Sequence, residues 1–123
     1  MKEIAENSDN LSFSGKIQIR TYKKIFIIDI QDIIRCEACK NYTTIHLNND
    51  KSIVASHTLK DFETLLPYPL FLRVHQSHLV NSKFIKQIAK QEASIMLSDH
   101  SRIPIATRKQ DLITNYLKTV PGL

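Results

Sequence analysis

The chain has 123 residues, enough for one domain and short for two. An apolar share of 42% supplies a core and separates the sequence from disordered chains. The longest apolar run, residues 25–28, is far too short to cross a bilayer. No charged n-region followed by an apolar stretch opens the chain, which points to a cytoplasmic domain. Lys and Arg number 17 against 12 Asp and Glu, a net charge of +5. Lys2 against Glu3, Glu6 and Asp9 leaves the first ten residues at −2, so the remainder carries +7. A basic body of this kind suits an anionic partner, either nucleic acid or an acidic surface, and composition alone leaves both open.

Residues 1–14 are polar and acidic and read as a flexible tail or interdomain linker, with the domain itself over residues 15–119 and a short tail over 120–123. From Gly15 the pattern is mostly strand. KIQIRTY alternates, KIFIIDI is rich in β-branched residues, and IIRCEA and YTTIHL continue. Asn48, Asn49 and Asp50 make a turn, and SIVAS returns as its hairpin partner. The period then changes. Leu59, Phe62 and Leu65 or Leu66 recur at helical spacing, Ser56 or Thr58 can cap them, and Asp61 stands in the capping-box position after Thr58. Pro67 and Pro69 end this short helix.

Residues 71–80 are strand-like again but carry Arg73, His75, Gln76, Ser77 and His78 between apolar ends, so polar groups fall on both faces. FIKQIA and ASIML follow as strands, SDHS as a turn, and RIPIA as a last strand whose Pro104 belongs on a sheet edge. A final helix is expected from Thr107, with Gln110 completing a capping box and Leu112, Ile113, Tyr116 and Leu117 as its apolar side. Arg108 and Lys109 then occupy its first turn, where the macrodipole disfavours cations by ~0.3–1 kcal/mol unless an external anion compensates. Backbone N–H groups beside two cations form a suitable phosphate site; the plainer reading is that both side chains extend into water.

Cys36 and Cys39 have CxxC spacing, which serves redox chemistry or half of a zinc site. His75 and His78 are the obvious further ligands. On strands, however, residues three apart point to opposite faces, so a structural pair is expected and no metal. With only two glycines and no GxGxxG or P-loop pattern, a phosphate-cradling loop is not expected. Ser77 lies between histidines, but strand neighbours diverge and no nucleophile elbow surrounds it, so no catalytic residue, cofactor or small-molecule substrate is expected. Arg, Lys, His, Gln, Ser and Asn are the side chains that bond phosphates and base edges.

FLRVHQSHLVNSKFIKQI resembles the signature of the LytTR DNA-binding domain in Phe71, Arg73, His75, Ser77, Val80 and Asn81. The likeness extends through DIIRCEACKNYTTIHL, HTLKDFETLLP and RIPIATRKQDL, about residues 15–117. The resemblance implies a mostly β, elongated fold of short antiparallel sheets with one short internal helix and a C-terminal helix. It implies a transcription regulator, commonly the output half of a two-component response regulator, whose partner is double-stranded DNA. A receiver domain in the same chain and a dimer on paired sites are further candidate partners.

In this family loops reach two successive major grooves and the minor groove between them. Carried over by motif, the contacts are Lys40, Asn41 and Tyr42; Gln76 as a base reader with Ser77 on phosphate; and Arg108 on a base with Lys109 on the backbone. Arg73 is either a phosphate contact or a surface residue. His75 and Asn81 are either contacts or structural groups that hold the loop. The sequence departs from the family at Gln76, where Arg is frequent, at His78, where Tyr or Phe is usual, and at Ala106, where Ser is usual. Gln76 keeps DNA binding plausible while leaving the target sequence open. The strand over residues 71–80 is then expected to bend so that Gln76 and Ser77 face DNA. The competing reading is a protein-interaction or sensory module with a basic face.

Overall fold

The computed structural model describes residues 15–123, so the tail or linker expected over residues 1–14 lies outside the described residues. Among the described residues, ten strands form three antiparallel sheets, joined by two helices and three short 3-10 turns. β1 (Lys16–Arg20) and β2 (Ile25–Asp29) make a two-stranded hairpin. The largest sheet has the order β5-β4-β3-β7-β6, built from β3 (Ile33–Cys39), β4 (Tyr42–Leu47), β5 (Ser52–Ala55), β6 (Phe71–His75) and β7 (His78–Asn81). The third sheet has the order β10-β9-β8, from β8 (Ile85–Ala89), β9 (Ser94–Leu97) and β10 (Arg102–Pro104). Pro104 stands on an edge strand, where its missing N–H costs no ladder bond.

The five-stranded sheet separates two cores. On one face Cys36, Ile45, Phe71 and Leu79 pack with Ile17, Ile19 and Ile28 of the hairpin and with Leu59 and Phe62 of helix α1 (Leu59–Leu65). On the other, Leu72, Val74 and Val80 pack with Ile95, Leu97 and Ile103 of the third sheet and Ile113 of helix α2 (Gln110–Leu117). A register shift in β3 between Ile33 and Arg35 brings Ile33 and Cys36, three residues apart, into the same core, while Ile34 joins the other. The α1 capping box forms as the sequence expects. Thr58 Oγ1 accepts from Asp61 N–H at 3.2 Å, and Asp61 Oδ2 accepts from Thr58 N–H at 3.3 Å.

Two local expectations need correction. Residues 71–80 are not one strand but a hairpin, with β6 and β7 paired through Phe71↔Asn81 and His75↔His78 and the turn at residues 76–77. The polar residues in mid-run are therefore turn and turn-flanking residues. The second correction concerns the final helix. Thr107–Lys109 is a 3-10 turn without a side-chain cap, and α2 begins at Gln110 with Lys109 in the N-cap position, also without a side-chain bond. Thr107 lies inside the preceding turn, so its hydroxyl is one turn too early to cap α2. Arg108 and Lys109 thus precede the helix rather than occupying its first turn.

Candidate nucleic-acid interface

Three turns meet at one end of the five-stranded sheet, and the strand register explains why. β3 ends at Cys39 and turns through Lys40, whose φ of 56° is the left-handed conformation that closes the tight link to Tyr42. β7 lies antiparallel to β3 with Glu37 opposite His78, so the turn before β7 falls beside the turn after β3. A backbone bond ties them, Ala38 N–H donating to Ser77 O at 3.0 Å. The third turn is fixed to the same hairpin from the other side, Ala106 N–H donating to Val74 O at 2.9 Å. A concavity of about 250 Å³ between the second and third turns is lined by Arg73, His75, Gln76, Ala106, Arg108 and Lys109.

The side chains at this end divide into outward and inward groups. Lys40, Asn41, Gln76 and Arg108 are exposed, Tyr42 is 50% exposed, and Ser77 and Lys109 are half-buried. Among the described residues, neither Lys40, Arg108 nor Lys109 forms an ion pair with a carboxylate. His75 faces inward enough to hold its own turn, its Nδ1 accepting from Ser77 N–H at 3.0 Å. That bond requires a neutral imidazole with the proton on Nε2. Asn81 is fully buried and structural. Its Nδ2 donates to Ile33 O at 2.9 Å and its Oδ1 accepts from Lys83 N–H at 2.9 Å. Arg73 also turns inward, bonding the carbonyls of His75 and Gln76 and the carboxylate of Glu63.

Behind the turns lies a charged network that the sequence reading missed. Arg35 bonds Glu37 at 3.0 Å and approaches Asp99 at 3.6 Å, while His46 reaches Glu37 at 3.4 Å. Glu37 faces His78, whose ring centroid lies 5.3 Å from that of His75. Burial pushes the Glu37 carboxyl up, but the Arg35 hydrogen bond and charge, with His78 and His46, hold it below the ordinary range. Burial likewise opposes ionisation of Asp99, yet bonds from Ser101 and the Arg35 charge hold its carboxyl down. Burial depresses both His46 and His78, more than Glu37 can restore, with Arg35 adding to the depression. The sequence signal was present. Arg35 and Glu37, two apart on a strand, share a face.

The two cysteines sit in different environments. Cys36 is buried, its thiol pushed up to about 12 by desolvation, whereas Cys39 is exposed, and both are free. Among the described residues no group of three or more His, Cys, Asp or Glu side chains could hold a metal ion, and no helix is long and apolar enough to cross a membrane.

Residues 23–118 match the LytTr DNA-binding domain family. The chain belongs to the LytTR family of DNA-binding domains. Among curated relatives, the sensory transduction protein LytT of Bacillus subtilis (strain 168) is 31% identical over 110 residues, covering 85% of this chain and 45% of that protein. The heme-containing CO-sensing transcriptional regulator RcoM 2 of Paraburkholderia xenovorans (strain LB400) is 28% identical over 112 residues, covering 88% and 40%. This LytTR chain thus spans less than half the length of these relatives. The solved LytTr DNA-binding domain of a putative methyl-accepting/DNA response regulator from Bacillus cereus superposes with a TM-score of 0.71 at 21% identity, over 84% of this chain and 96% of that one. The antiparallel architecture with two helices is therefore the LytTR fold.

Proposed function

We propose that this LytTR domain binds double-stranded DNA sequence-specifically, as the non-catalytic output module of a cytoplasmic bacterial response regulator. The observation that carries the reading is the convergence of the three turns at one end of the sheet, with Lys40, Gln76 and Arg108 exposed there. Gln76 and Arg108 read base edges, Arg108 by bidentate geometry that suits a guanine edge in a major groove and Gln76 as donor and acceptor in either groove. Lys40, Ser77 and Lys109 meet phosphate, and Asn41 and Tyr42 complete the first segment's contact. The three turns address two successive major grooves and the minor groove between. A receiver domain in the complete regulator supplies the signal, and dimerisation places two copies on paired sites.

Selection of bound fragments from a random duplex pool, followed by sequencing, tests this reading. Enrichment of a defined motif is the expected result, together with random-duplex binding at ~10⁻⁴–10⁻⁶ M near physiological salt. A recovered pool with no enrichment, or no duplex binding even at low salt, contradicts it and favours a protein-interaction module.

A further inference from the structure

Arg73 lies beside the DNA-reading turn, yet its guanidinium points back into the protein. Nε donates to the His75 carbonyl at 3.0 Å, one terminal nitrogen donates to the Gln76 carbonyl, and the other donates to Glu63 Oε1 at 2.8 Å. The Arg73 side chain is 18% exposed and that of Glu63 45%. The two carbonyls belong to consecutive residues of the turn, and a rigid guanidinium fork is suited to acceptors fixed relative to one another. Lysine, a single rotatable ammonium, cannot span them in the same way.

Glu63 is itself held from behind. It projects from α1, whose neighbouring Leu59 and Phe62 are buried in the core and whose start is fixed by the Thr58–Asp61 capping box. From the opposite side of the turn, His75 Nδ1 accepts from Ser77 N–H. The backbone of residues 75–77 is thus bonded to both Arg73 and His75, and the Gln76 side chain is left exposed. A carboxylate near a phosphate-binding surface opposes DNA by charge. Here that charge is cancelled within the pair, so the pair as a whole contributes no counterion release.

Resting on the DNA-binding reading above, we propose that Glu63 and Arg73 form a positioning device for base recognition. The pair fixes the carbonyls of His75 and Gln76, and with them the direction in which the Gln76 side chain leaves the turn. Arg73 is accordingly a positioning residue that does not neutralise a DNA phosphate, and Glu63 is a specificity-determining residue that never touches DNA. First-contact side chains depend on such supporting bonds because a small misdirection abolishes bidentate geometry.

The test titrates the full chain with its selected duplex and with a random duplex of equal length across a salt series. Wild type is compared with Glu63→Gln and Arg73→Lys. Glu63→Gln conserves volume at a half-exposed side chain, and unchanged circular dichroism and melting establish that it is folded. Both variants are expected to lose about tenfold on the selected duplex and keep random-duplex binding within about twofold; Arg73→Lys keeps the salt slope, and Glu63→Gln, which leaves the Arg73 charge uncancelled, does not flatten it. Amide hydrogen exchange at Ser77, whose N–H donates to His75 Nδ1, should accelerate in both in the free protein.

Selected-duplex binding equal to wild type in either variant overturns the proposal. So does an equal loss on both duplexes for Arg73→Lys, which would make Arg73 a phosphate contact. A wild-type chain that does not distinguish the two duplexes defeats the DNA-binding reading instead. Amide exchange at Ser77 then still reports, without DNA, whether the pair holds the turn, and unchanged exchange overturns that part as well.

Discussion

Individual residues at the sheet end have separable jobs. Arg108 is exposed in the turn before α2, and on the proposed function it reads a base, so Arg108→Ala should weaken selected-duplex binding by ~1–3 kcal/mol and relax specificity at one position of the site. A gel-shift series showing unchanged binding removes Arg108 from the base readers. Lys109→Ala should instead weaken all sequences alike and reduce the salt slope by about one phosphate equivalent. Asn81 is different in kind. It is fully buried and bonds Ile33 O and Lys83 N–H, so its role is to fix the end of β7 against the start of β3. Asn81→Ala should cost roughly 2–4 kcal/mol in urea unfolding, since each buried polar group left unpaired costs ~1–3 kcal/mol. Its loss of DNA binding should follow the folded fraction.

Among elements, the strands of the central sheet carry a network whose titration has a definite sign. His46 and His78 are depressed below 6.5 by burial, so their neutral forms favour the fold. The resulting stability is full above the ordinary imidazole range and is lost as pH falls through the lowered folded values. Glu37 and Asp99 are also held below their ordinary values. Their contribution is present above the ordinary carboxylate range and disappears on further acidification. Melting temperature should therefore decline in two stages between pH 8 and pH 3, and His78→Gln should flatten the first. A melting temperature independent of pH above 5 contradicts the assignment.

The strands themselves were largely legible, because alternation in KIQIR and SIVA reflects one buried face each, and the Thr58 capping box is a local pattern. The break at residues 76–77 was only partly legible. His75, Gln76, Ser77 and His78 lack the glycine or asparagine that marks a tight turn, and the hairpin is held by the Arg73 and His75 side chains rather than by turn chemistry. The start of α2 was misplaced because the Thr107–Gln110 spacing also fits a 3-10 turn followed by a helix. Glu63 left no trace in the sequence, since its partner is ten residues away on another element. The CxxC spacing is resolved by the β3 register. Under native conditions a thiol reagent should label Cys39 and spare Cys36, with Cys36 reacting only after unfolding.

On the scale of the whole molecule, the LytTR fold uses two cores to present one end. The first packs α1 and the β1–β2 hairpin on one face of the sheet, and the second packs the β8–β10 sheet and α2 on the other. The three turns emerge between these cores and are tied by backbone bonds from Ala38 and Ala106. Such an end can be rigid without a recognition helix. The most direct test maps amide chemical shifts of the chain on titration with its selected duplex. Perturbations should concentrate at residues 40–42, 75–77 and 106–109, while the distant turn at residues 48–51, which packs near Asp32, stays unchanged. Perturbations centred on another face, with those three turns silent, would contradict the account.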